Sequence, residues 1–355
     1  MKRSHILLLS LLLFSLFRTE INAQQSSSPK KSSLNNGEPF VKEFDAKNLN
    51  ELKLSNKHGY IDLSCWDEEK VSIEVIVNIE TASSYEADEI LNLISFSSRT
   101  YSKTLDYKTI FSDDFFSNYP FTINYNVKVP RRLNIKASNT IGDIRMTDIK
   151  GSLKLTHSYG NLELNNIALD KENLLNLSFV EGAIDSIGSV EANFSNCTLN
   201  LANSRSLKGK TNYCMASFTN VKNINLKSFT DRLIVTNTDS LTLKGSHFIG
   251  KVDHLNTYGF CELEKGQLLV DVSESIKELT ISNNKVETTI VIPHAISYVL
   301  NGEVYNGTFT HPTPQNLQLF KEDHTVTFSG KIGSDSEPKA NLILFNKDSS
   351  ITIKN

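Results

Sequence analysis

Residues 153–167, LKLTHSYGNLELNNI, decide the fold. They read as two short runs of alternating apolar and polar residues that meet at a corner, Tyr159-Gly160. Leu153 and Leu155 share one face of the first run, and Leu162 and Leu164 share one face of the second, because alternate residues of a strand point the same way. An amphipathic helix would space its apolar residues near 3.6, and these runs do not.

The pattern recurs roughly every 17 to 22 residues in both directions. Upstream are Leu133 and Ile135, then Ile144, Met146 and Ile149. Downstream the series continues through Leu175, Leu177 and Ile184; Val190, Ala192, Leu199 and Leu201; and Leu207, Ala216, Phe218 and Val221. Ile224, Leu226, Leu233, Val235, Leu241 and Leu243 carry it on. A unit that repeats at fixed length and cannot bury its own apolar face reads as a stacked array. This one is too short for a helix-backed leucine-rich repeat and lacks the Asp-Gly pattern of calcium-binding coils. The fold class is therefore all-β, a parallel β-helix or β-solenoid. About nine or ten coils at about 4.8 Å would build a rod about 45 Å long. Each inward Leu, Ile or Val would contribute about 1.5 to 3 kcal/mol. Asn165, Asn166, Asn196, Asn203 and Asn212 fall at the corners, where asparagine bonds local backbone and tolerates left-handed conformations. The register is hardest to follow across 245–275.

The segment before the repeats has its own organisation. Residues 1–23 read as a secretory signal peptide: Lys2 and Arg3, an apolar run from Ile6 to Phe17, and a cleavage site after Ala23. That run is short for a membrane span, and no later stretch is apolar enough to be one. No cysteine follows the leader to carry a lipid anchor. Residues 24–39 are polar and read as a flexible linker. Residues 40–130 alternate as strands but lose the repeat period, and form a β-rich capping region. Within it, Ser84 would cap a short helix that presents Ala87, Ile90, Leu91 and Ile94 on one face. SRTYSKTLDYK and FTINYNVKVP would pair as a hairpin about the tip SDDFFSNY. Solenoid repeats then fill 131–355. The last strand, ITIKN, reads as a weakly protected edge at Lys354 and Asn355.

The net charge of −3 becomes about −5 once the leader is removed, which argues against general nucleic-acid binding. Export would permit disulfides. Cys197 and Cys214 occupy the same slot in adjacent coils, but stacked parallel side chains rarely meet disulfide torsions, so two buried thiols are expected. Cys65 and Cys261 have no evident partner.

The string LSNKHGYIDLSCWDEEKVSIEV, with Asn56, Lys57, Gly59, Trp66, Asp67 and Val71, resembles the bacterial secreted "putative adhesin" domain. That domain is common in Bacteroidetes and is also called the auto-transporter adhesin head-GIN-like domain. SYGNLELNNI, TYGFCELEKG, GKIG and LILFNKDSSITIKN extend the resemblance over about residues 40–355. It implies a right-handed helix of strands and an exported, non-catalytic protein of the periplasm, cell surface or medium. It implies no catalytic residues and no ligand. Corners such as Glu181-Gly182, Asn196-Cys197 and Thr230-Asp231 depart from the family's Tyr-Gly or Tyr-Ser.

The residues themselves offer little catalytic chemistry. There is no nucleophile motif, phosphate loop or clustered set of metal ligands. No cofactor is implied. His157 would share a slot with Ala137, Phe179 and Phe194, and so faces the core. His247 and His254 lack the close spacing of a strand metal pair. Asp113, Asp114, Phe115 and Phe116 could be an exposed aromatic anchor beside charge, or aromatics folded back on a hairpin. Tyr159, Tyr213 and Tyr258 suggest a stacking surface for sugar rings, but the intervening slots hold Glu181 and Asn196, which favours packing at the corners instead. The expected function is that of a non-enzymatic adhesin or cell-envelope binding module, with a cell-surface glycan or envelope protein as partner. Two readings compete with it: a polysaccharide lyase or hydrolase, which would need a carboxylate pair and a base, and a periplasmic envelope-stress accessory.

Overall fold

A computed structural model describes residues 38–355. The signal peptide at 1–23 and all of the linker but Glu38 and Pro39 lie outside the described residues. The described residues are all-β apart from one α-helix, Ser84–Asn92, and one 3-10 turn, Pro314–Asn316. Ser83, one residue earlier than the sequence suggests, caps the helix, its hydroxyl accepting the Glu86 amide at 3.3 Å. Ala87 and Ile90 are the residues that the helix buries.

Successive passes of the chain lie parallel and in register. Leu153 sits opposite Ile135, an offset of 18. Lys154 sits opposite Leu174, an offset of 20. From Thr198 opposite Glu181 to Ser240 opposite Asn223 the offset is 17, and it returns to 20 where Glu278 meets Tyr258. Each pass contributes one strand to each of two ladders. Every apolar position from Leu133 to Leu243 named in the sequence repeat is buried. These residues stack as continuous columns, which is how a unit too small to hold a core comes to share one.

The corners need left-handed backbone, and they use it in every pass. Tyr159, Phe179, Asn196, Tyr213, Thr230 and His247 all have φ between 54° and 58°. At a second corner the side chains of Asn203, Asn220, Asn237 and Asn256 form a ladder in which the Nδ2 of each of the last three donates to the Oδ1 of the asparagine one pass earlier at 2.8–3.2 Å.

Both ends of the stack are built by long insertions. Glu51–Ser55 and Ile61–Trp66 pair in parallel with residues 134–138 and 144–146, an offset of 83. The stretch 51–66 thus has the form of another pass. Between it and residue 134 the chain makes antiparallel pairs that cover its free side. Ile94–Tyr101 and Thr104–Phe111 form a hairpin lying on Glu51–Ser55, whereas Phe121–Pro130 lies on Ile61–Trp66 and pairs with Lys70–Ile79. The expected hairpin about SDDFFSNY is therefore not formed. That segment crosses from one ladder to the other, because each ladder needs its own cover.

The far end repeats the device. Ala340–Lys347 pairs with 278–284 on one side and with Tyr298–Tyr305 on the other. Ile351–Lys354 lies between Thr288–Val291 and Phe309–Thr310. Phe309–Thr310 covers only Ile351 and Thr352, so Ile353 and Lys354 pair on one side alone, and Lys354 and Asn355 stay exposed at the edge the sequence suggests. On the other ladder, beyond Ala340–Lys347 and its parallel partner Tyr298–Tyr305, Thr325–Ile332 and Gln318–Glu322 extend the sheet in antiparallel order.

Close stacking makes small residues obligatory at some positions. At Gly245 (φ 155°) a Cβ would fall 1.7 Å from the Ser228 carbonyl oxygen. Gly245→Ala is expected to destabilise the protein by about 1 to 3 kcal/mol in urea unfolding, with the secondary structure of the folded state unchanged by circular dichroism.

Candidate functional site

The outer face of the second ladder carries a groove of about 560 Å³ that crosses five passes, from Tyr60 to Asn200. Its floor dips because the outward residue of one pass is only Ala183, with Gly182 beside it. Asp62, Asp143, Glu163 and Glu181 line it, together with Asn161, Asn200 and Thr198. Arg145 is the one cation among the lining residues. Its Nε donates to Glu163 at 2.9 Å, and its guanidinium lies 4.0 Å from Asp62. The bond to Glu163 holds the guanidinium proton more tightly still. Asn161 gives both its backbone and side-chain N–H groups to Asp143, at 2.8 and 3.1 Å.

An apolar ridge borders this groove along the corner. The ring of Tyr159 stacks on that of Phe179 with centroids 4.9 Å apart and planes 5° from parallel. Both rings are about half exposed, as is Ile141. Sequence reading placed Glu181 next to Tyr159, but the register puts Phe179 there, since Ser158 faces Ser178 and Gly160 faces Val180. The 20-residue pass concealed the partner. Tyr213 lies on the same corner line beyond Asn196, and Thr230 and His247 continue that line, whereas Tyr258 is off it, within a strand and paired with Glu278.

Of the other singled-out residues, His247 and His254 are exposed at left-handed positions, and the rest belong to the core or the caps. His157 is fully buried, with Asn139 and Leu177 as its register neighbours rather than the slot partners Ala137 and Phe179. Its ring nitrogens lie 3.3 Å from the Asn139 and Asn161 carbonyl oxygens. A neutral ring can donate to only one of them. Cys197 and Cys214 are buried free thiols in neighbouring passes, and each contacts the carbonyl two residues back. The partner thiol and burial together push Cys214 up. Burial raises Cys65 to about 11 and Cys261 to about 12, so none of these three is a ready nucleophile at neutral pH.

Sequence reading missed Asp231, a buried carboxylate at a corner. It accepts hydrogen bonds from the Thr211 and Ser228 hydroxyls at 2.5 and 2.6 Å and from the Cys214 and Phe229 amides. The only signal was the coincidence of Thr211, Ser228 and Asp231 at neighbouring slots. With its oxygens satisfied from within, Asp231 secures the corner and does not face solvent. Among the described residues, no three His, Cys, Asp or Glu side chains are placed to hold a metal ion. No helix of the described residues is long and apolar enough to cross a membrane.

No family profile and no curated protein matches the chain. Solved structures do. A protein described as a "putative adhesin" from Parabacteroides merdae aligns at 11% identity over 90% of this chain and 98% of its own, with a TM-score of 0.31. A "putative lipid binding protein" from Parabacteroides distasonis aligns at 12% over 90% and 98%, also at 0.31. A "putative cell adhesion protein" from Clostridium sporogenes aligns at 12% over 89% and 98%, at 0.25. Proteins described as adhesins thus stand among the structures that this chain resembles.

Two predictions follow from the placement of these side chains. Burial lowers His58, His157 and His311 below the ordinary value of 6.5. The unfolded chain therefore takes up protons first, and the stabilisation is complete above that value and declines as pH falls through it. His157→Leu, which fits a column already holding Leu177, should flatten the stability loss measured between about pH 6.5 and 5. Phe115 packs against Phe111 at 4.5 Å and Phe121 at 5.3 Å, while Phe116 is exposed. Phe115→Ser should cost about 1 to 3 kcal/mol and Phe116→Ser less than about 0.5 kcal/mol, both read by denaturant midpoint.

Proposed function

We propose that the protein is an exported, non-enzymatic binding module of the cell envelope or surface, with an adhesin-like role, and that its stacked passes wind as a right-handed parallel β-solenoid. The observation that carries this reading is the groove and its apolar ridge. They are assembled from outward side chains of several consecutive passes, on a scaffold whose inward columns are fully committed to packing. A rigid face of that kind presents groups to a partner without having to order itself first. Asp62 and Glu163 are tied to Arg145, and Asp143 to Asn161, in pairwise contacts. That arrangement favours holding a ligand over cleaving one.

The test joins location to activity. Protease shaving of intact native cells should digest the protein or recover it from the medium, and purified protein should attach to cells while leaving a panel of polysaccharides uncleaved. Protection until the outer membrane is opened would replace the adhesin role with a periplasmic one. Polysaccharide cleavage above buffer would replace the binding module with an enzyme.

A further inference from the structure

We infer that the groove takes a non-anionic glycan, neutral or amine-bearing, held against the Tyr159–Phe179 ridge. This rests on the binding-module reading above and names its ligand. The first observation concerns the ridge. Tyr159 and Phe179 occupy left-handed corner positions, at φ 54° and 56°. That conformation is unfavourable for bulky L residues and is tolerated best by glycine and asparagine. Asn196 fills the same position in the next pass. The corner requires the backbone shape and does not require an aromatic side chain. Both rings point outward and are half exposed, so core packing does not account for them either. They stack on one another, which fixes an apolar wall at little cost in side-chain freedom.

The second observation is what that wall borders. Asn161 and Glu181 lie two residues beyond Tyr159 and Phe179 and line the groove. Its polar groups are side-chain carboxylates, amides, hydroxyls and the Arg145 guanidinium. The backbone of these passes is engaged in parallel ladders through residues 160–164 and 180–184. A peptide could not add itself as a strand there, and the polar floor does not suit an amphipathic helix. A glycan, with hydroxyls on its edges and C–H groups on its faces, matches a polar floor beside an apolar wall. Asp62, Asp143, Glu163 and Glu181 against a single Arg145 leave the groove net negative, which disfavours uronates, sulfates and phosphates and favours neutral or amine-bearing sugars.

The experiment is retention of the whole protein on arrays of neutral, amine-bearing and acidic oligosaccharides, beside the double variant Tyr159→Asn, Phe179→Asn. The wild type should be retained on the first two classes, with amine-bearing sugars weakened by salt. The double variant should lose binding by roughly tenfold or more, with a melting midpoint equal to or above that of the wild type. Strongest retention on acidic glycans, undiminished binding by the variant, a lowered midpoint, or no retention on any class would each overturn the inference. Attachment to cells that survives periodate oxidation of their glycans would also overturn it while leaving the binding-module reading intact. Absence of any cell attachment would remove both.

Discussion

Parallel register is the constraint on which the molecule depends. Side chains alternate across a strand, so a slip of one residue between passes would send a whole column of leucines into solvent and draw its polar neighbours inward. The buried columns make that slip prohibitive. The left-handed corners hold the same register from outside the core, because each pass must turn at the same point. Asp231, bonded to groups from two passes, and the asparagine ladder at the second corner add polar links along the stack where apolar contacts end.

Residues whose role is local were legible in the sequence. The apolar positions from Leu133 to Leu243 declared their face through a period of two, and burial agrees at each of them. Of the five asparagines expected at corners, Asn166 and Asn196 adopt positive φ, whereas Asn165, Asn203 and Asn212 do not. The features that were not legible depend on distance along the chain. Glu51 pairs with Asn134 and Glu278 with Asn341, and nothing in the local pattern of either partner announces the other.

The groove shows the same limit on a smaller scale. Its walls come from outward residues, which the apolar period leaves unspecified. A pass lengthened by three residues relative to its successors was enough to hide Phe179 from Tyr159 and to suggest an interrupted aromatic surface. The ring pair emerged only when hydrogen-bond register replaced sequence spacing as the ruler. His157 was legible as a core residue from its slot in the repeat, although its actual neighbours follow the ladder and not the spacing.

The seating of Ile351–Lys354 has a consequence for how the molecule comes together. This strand and Ala340–Lys347 form a wedge between passes that the chain lays down well before them. Residues 298–310 have no parallel partner until the wedge arrives, so the distal third cannot assemble in simple order from one end. Its closure waits on contacts 63 residues apart in sequence, as between Thr288 and Ile351. Such long-range closure slows folding. The final rung works as a keystone: the arch on both sides of it is held open until it drops into place.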